Sequence, residues 1–185
     1  MYISFIHPLF DYFKTLKRQE FVYEWIIPIV IGIIFYLCLL GSIHSDIIKE
    51  FNGYIINFIA ILIGFSITCV VILVGSESQN IKDLKEKDSE RKLNNKPVRL
   101  YQLILICYIY SIIIEIFTLV YVLMVILLVD PFINNQPSMT YKYFTIGTFI
   151  LLLHIILITI RNITNFYFSF WTVKKMKILE EYPAN

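Results

Sequence analysis

The chain has 185 residues, of which 58% are hydrophobic and 16% charged, with a formal charge of +2. Soluble domains devote roughly a quarter of their residues to charge, and the Ile, Leu, Val and Phe runs behind a mean hydropathy of +0.71 are too long for the interior of a small soluble domain. These figures exclude an ordinary cytosolic enzyme, a disordered tail and a disulfide-stapled secreted module. Cys38, Cys69 and Cys107 all lie in apolar stretches, where a thiol acts as a small hydrophobe.

In chain order, Tyr2, Ile6, Leu9, Phe13 and Leu16 recur at helical spacing, with Asp11, Lys14, Lys17 and Arg18 elsewhere, which predicts an interfacial amphipathic helix. No positive residue precedes this stretch and no small-residue cleavage site follows it, so it does not read as a secretory signal. A membrane-crossing helix needs about 20 mostly apolar residues, and four segments qualify. The first runs from Ile26 to Ile43, with Pro28 in its opening turn and Gly41-Ser42 at its end. The second runs from Tyr54 to Val74 without a charge and stops at Gly75-Ser76. Ser76 to Lys92 reads as a charged helix, with Lys82 and Glu86, or Asp83 and Lys87, four residues apart.

Asn94-Asn95-Lys96-Pro97 breaks that helix and offers a proline to open the third span, Leu103 to Val129. The fourth runs from Tyr143 to Ile163 and continues through Phe166, Tyr167, Phe168, Phe170 and Trp171, an aromatic end of the kind found at interfaces. The organisation that follows is an interfacial helix over 1–25, a transmembrane hairpin over 26–75 and a charged cytoplasmic helical loop over 76–102. A second hairpin with a cytoplasmic extension covers 103–173, and a tail covers 174–185. This is an all-α membrane protein with four transmembrane helices.

Lysine and arginine set the orientation, because positive residues are retained on the cytoplasmic side. Lys14, Lys17 and Arg18 precede the first span, and Lys82, Lys85, Lys87, Arg91, Lys92, Lys96 and Arg99 fill the middle loop. Arg161, Lys174, Lys175 and Lys177 follow the core of the fourth span, while the two outer connections hold only Lys49 and Lys142. Both termini and the loop are therefore expected in the cytoplasm of a bacterial inner membrane, with Trp25 and Trp171 at the inner interface.

Glu115 is the acidic residue that falls inside a span, and a carboxylate there costs several kcal/mol unless protonated, paired or wet. Tyr108, Ser111 and Thr118 share its helix face, a polar seam expected to face protein or a cavity. His154 falls at a matching depth: Glu115 lies fifteen residues before Asp130, and His154 twelve after Lys142. The pair reads either as a hydrogen-bonded clamp or as a gate, proton or ion site. In the second span Asn57, Ala60, Gly64 and Thr68 share a face. Ala60 and Gly64 suit close helix packing, and Asn57 and Thr68 would line a pore if several copies assembled.

The loop's Lys82, Lys85, Lys87, Arg91, Lys92 and Arg99 are candidate contacts for a cytoplasmic protein or an anionic nucleotide or oligonucleotide, although Glu77, Asp83, Glu86, Asp88 and Glu90 hold the loop to +2. His7, His44 and His154 fall at different depths, and phosphate-binding and dinucleotide fingerprints are missing. The chain is thus expected to be no enzyme and to need no cofactor or metal.

One protomer of this size fills its own centre with side chains, so conduction requires assembly. Three readings follow: an oligomeric channel-like or permeabilising effector, a non-conducting anchor and sensor that recruits a soluble protein, and a proton-coupled transporter using Glu115. The last ranks lowest, since paired half-sites and interrupted helices are not evident. The four-span layout, the run Gly64-Phe65-Ser66-Ile67-Thr68 leading to Gly75-Ser76-Glu77-Ser78, and the charged arm beyond resemble the small membrane components of bacterial antiphage systems, such as the Hailong membrane effector and the membrane subunit of Kiwa. That resemblance implies a homo-oligomer, a tetramer by preference, controlled by a cytoplasmic partner or an oligonucleotide product.

Overall fold

In the computed structural model, residues 6–39, 45–128 and 139–181 are described in their backbone, and 6–38, 49–128 and 142–168 also in their side chains. The expected outer turn with Asp130, the first span's Gly41-Ser42 end, His44, and the side chains of Phe170, Trp171, Lys174, Lys175 and Lys177 lie outside those residues. Helix α1 covers His7–Thr15, followed by α2 (Arg18–Phe21), a π-helical segment (Val22–Ile26) and α3 (Ile27–Leu39). Next come α4 (Ser45–Gly75), α5 (Gln79–Glu86), strands β1 (Asp88–Leu93) and β2 (Lys96–Arg99), α6 (Leu100–Leu128) and α7 (Met139–Glu181). Four helical stretches are long and apolar enough to cross a membrane: Arg18–Cys38, Lys49–Gly75, Leu100–Leu128 and Lys142–Phe168. The protein is an all-α, four-span membrane protein.

Each stretch is longer than its sequence core, because an α-helix continues past the hydrocarbon wherever the flanking residues tolerate it. At 1.5 Å per residue the 29 residues of α6 reach about 44 Å, against roughly 30 Å of hydrocarbon. The amphipathic N-terminal helix is shorter than expected and breaks at Leu16 and Lys17, whose ψ angles of 128° and 152° are extended. Local chemistry sets the break. The Thr15 hydroxyl folds back to the carbonyls of Asp11 (2.9 Å) and Tyr12 (3.0 Å), and the Lys17 N–H donates to the Glu20 carboxylate at 2.8 Å, starting a new helix.

Contacts divide the chain into two compact units. One comprises Met1–Leu16, Ser66–Ser111 and Thr159–Asn185. Its core is Leu73, Ile81, Leu84, Ile104 and Tyr108, with Ile81 and Leu84 supplied by one face of α5. The charged helix expected to run to Lys92 stops at Glu86, and the chain turns into an antiparallel hairpin with Leu93 opposite Lys96. Asn94 and Asn95 make the two-residue turn at φ 49° and 64°, left-handed values that asparagine tolerates better than most residues and that match the twist of paired strands. Pro97 accordingly lies on β2 opposite Lys92 rather than opening the next helix.

The hairpin is tied to α1. Arg91 donates through Nη1 to the Thr15 carbonyl, and Lys14 Nζ reaches Asn94 Oδ1 at 3.3 Å. The buried ring of Tyr12 stacks on Tyr110 at 3.5 Å, with the Arg161 guanidinium 5.3 Å from its centroid. The face of α1 toward the protein is therefore Tyr12 and Thr15, both buried, while Ile6 and Phe13 from the expected apolar positions, and Phe10 beside them, are exposed.

The other unit comprises Lys17–Phe65 and Ile112–Ile158, with a core of Ile55, Ile59, Val122 and Ile155. Here α3 runs antiparallel along α7: Trp25 meets His154 (4.1 Å), Phe35 stacks on Phe149 (4.2 Å) and Tyr36 meets Tyr143 (5.8 Å). Pro28 and Gly32 are buried on that seam, and a methyl built on Gly32 would overlap Ile150. Close approach also occurs at Gly147, where a methyl would sit 2.7 Å from the Tyr121 hydroxyl. Tyr121 donates that hydroxyl to the Phe144 carbonyl at 3.2 Å, which sets the register of α6 against α7.

Candidate functional site

The unit of Lys17–Phe65 and Ile112–Ile158 contains a polar level that begins with a backbone fault. Pro28 has no N–H, so the carbonyl four residues earlier, on Glu24, loses its ordinary helical donor, and the proline ring crowds it. The helix answers by widening. Val22–Ile26 is π-helical, and the Ile27 N–H reaches back five residues to the Val22 carbonyl. The Glu24 carbonyl instead meets His154 Nδ1 at 2.6 Å. A carbonyl only accepts, so Nδ1 carries the hydrogen, and in the neutral ring Nε2 is left as the acceptor. Trp25 lays its ring on His154 at 4.1 Å.

The same joint adds a second enclosed acid. The helical stretch that holds the first span begins at Arg18, and Glu24 within it is completely buried. Glu115 is also fully buried, and His154 is 1% exposed. Glu115 precedes Tyr121 by six residues on α6, and His154 follows Gly147 by seven on α7. With the Tyr121–Gly147 approach as register, Glu115 and His154 share about one level of this unit. Three ionisable groups from three spans are thus enclosed by protein. Enclosed acids and imidazoles in membrane helices mark either polar clamps or the paths of protons and ions.

The rest of the third-span seam is equally enclosed: Tyr108, Ser111 and Thr118 are all buried. Thr118 gives its hydroxyl to the Ile114 carbonyl of its own helix at 2.8 Å. Tyr108 and Ser111 belong to the other unit, where Asn162 donates to the Cys107 carbonyl at 3.3 Å.

The second-span face lies differently. Asn57, Ala60, Gly64 and Thr68 are all exposed, and a methyl on Gly64 would meet nothing within 4 Å. Among the described residues a methyl would collide at Gly32 and at Gly147, whereas Ala60 and Gly64 lie on an exposed part of α4. On the buried side of α4 sits Asn52, fully enclosed, with neither amide atom hydrogen-bonded.

In the charged arm the two arginines are turned to the protein's own backbone, Arg91 to Thr15 and Arg99 to the Lys85 carbonyl at 3.1 Å. Lys87 is half-buried, and the Lys85 ammonium lies 5.2 Å from the centroid of Tyr101. Lys82, Lys85 and Lys92 remain exposed. Among the described residues no group of three or more His, Cys, Asp or Glu side chains is placed to hold a metal ion.

Sequence reasoning missed Glu24 and Asn52. The signal for Glu24 was present: a proline four residues after an acid frees that acid's carbonyl, and a distant donor must replace the missing N–H. No protein-family model, no curated protein and no solved structure matches the chain.

Proposed function

We propose that the chain is a homo-oligomeric, channel-like membrane effector of bacterial antiviral defence, seated in the inner membrane with both termini and the charged arm in the cytoplasm. A tetramer is the favoured assembly. The trigger is a cytoplasmic partner or an anionic nucleotide acting on the exposed lysines Lys82, Lys85 and Lys92. The observation that carries this reading is the uncovered face of α4. Asn57 and Thr68 are exposed in a span with no charged residue between Tyr54 and Gly75, and an amide facing hydrocarbon alone costs several kcal/mol. A second copy set against Ala60 and Gly64 would cover that face, and Asn57 and Thr68 would then supply polar groups along the axis. Glu115 and His154 act in this scheme as an internal gate. The antiphage resemblance of the layout supports the same reading.

The test is dye and ion efflux from liposomes containing the purified protein. Flux should depend on protein density and fall at least about tenfold in Asn57→Leu with Thr68→Val, while the protein still inserts. Absence of flux at every density, with membrane potential intact in expressing cells and a soluble protein co-purifying, would establish the anchor reading instead.

A further inference from the structure

We propose that His154 is a latch that replaces, from another helix, the backbone donor Pro28 removes, and that the first span opens and closes at this joint. The argument needs three observations. Pro28 leaves the Glu24 carbonyl without its helical donor; the preceding five residues are wound as a π segment; and His154 Nδ1 fills the gap at 2.6 Å. An intrahelical hydrogen bond can be broken only by unwinding its own helix. A bond supplied by a side chain of α7 can be broken by a rotamer change or by sliding α3 along α7, leaving both ladders intact. Helix distortions of this type often accompany function, and this one carries a fully buried acid, Glu24, on the turn that would move.

The latch controls how firmly residues 22–28 lie on the fourth span. Below it, toward Leu39, the seam is stacked at Phe35 and Phe149 and closely apposed at Gly32 and Ile150, so that end is the fixed side of the joint. The gating part of this inference rests on the channel reading above, whereas the latch itself does not.

A compensation experiment separates the two. His154→Ala and Pro28→Ala are made singly and together, with His154→Gln as a variant that can still donate. Each is measured by thermal unfolding in detergent and by amide exchange over residues 21–29. In the parent background, His154→Ala should lower the melting temperature by about 5 °C and speed exchange about tenfold. In the Pro28→Ala background, where the restored N–H takes the Glu24 carbonyl, the same change should cost less than about 2 °C. His154→Gln should fall between. Equal losses in the two backgrounds, or loss of folded protein on removing His154 from both, would overturn the latch. Recovery of folded His154→Ala protein only in the Pro28→Ala background would support it. If the coupling is found but liposome efflux is zero in all variants, the channel reading fails and the latch stands.

Discussion

Replacing Gly32 with leucine is expected to keep the first span from seating on the fourth. The two helices approach so closely there that a single added methyl would overlap the Cγ1 and Cδ1 of Ile150, and the stack of Phe35 on Phe149 holds the same two helices together close by. Alanine at this position should cost about 1–3 kcal/mol, the usual penalty of overpacking. Leucine adds three further carbons with no room to turn and should leave little monodisperse protein after detergent extraction. Ile150→Ala should recover most of the loss in Gly32→Ala, because it removes the atoms that collide. A melting temperature for Gly32→Leu equal to that of the parent would mean that α3 and α7 do not meet at this residue. The same substitution at Gly64, where the surroundings are open, should leave the single chain's fold intact and disturb only the assembly proposed above.

Glu115→Lys should be as damaging, for an electrostatic reason. The carboxyl is completely enclosed, so a lysine there puts a longer side chain and an ammonium into a closed site. Enclosing that ammonium in a membrane helix should cost at least about 3 kcal/mol. Glu115→Gln keeps the shape and the hydrogen-bonding capacity and should retain most of the stability. The exposed Phe117 two residues on is the control: Phe117→Leu should be neutral. Fluorescence-detected size exclusion after heating ranks the three, and the expected order is Phe117→Leu above Glu115→Gln, with Glu115→Lys far below.

Some of this was legible in the residues alone. Four apolar runs with polar interruptions dictate four spans, since an exposed backbone cannot cross hydrocarbon except as a helix or barrel. The enclosed third-span seam follows from helical spacing, because residues three and four apart share a face and a carboxylate on that face cannot turn to lipid. The second-span stripe shows where the same logic runs out. Periodicity places Asn57 and Gly64 on one side of α4 without saying which side meets the protein, and α4 turns Ile55 and Ile59 inward instead.

The helix that holds the first span begins earlier than its apolar run, because hydropathy counts Glu24 as a boundary, whereas a tertiary donor, His154, meets the backbone at that point. The hairpin after α5 was hidden for another reason. Asp88-Ser89-Glu90-Arg91-Lys92 lacks apolar alternation, and its charges suit a helix. Its strand form depends on the left-handed Asn94-Asn95 turn, on buried Val98, and on Arg91 reaching Thr15, the last a contact distant in sequence.

Site-directed labelling of the charged arm tests the membrane arrangement most directly. In a background lacking Cys38, Cys69 and Cys107, Ser78→Cys places a thiol at the exposed entry to α5, and Asn135→Cys places one in the opposite connection. The account predicts that a membrane-impermeant maleimide labels Asn135→Cys in intact spheroplasts and reaches Ser78→Cys only after permeabilisation. Labelling of Ser78→Cys in intact spheroplasts would contradict it.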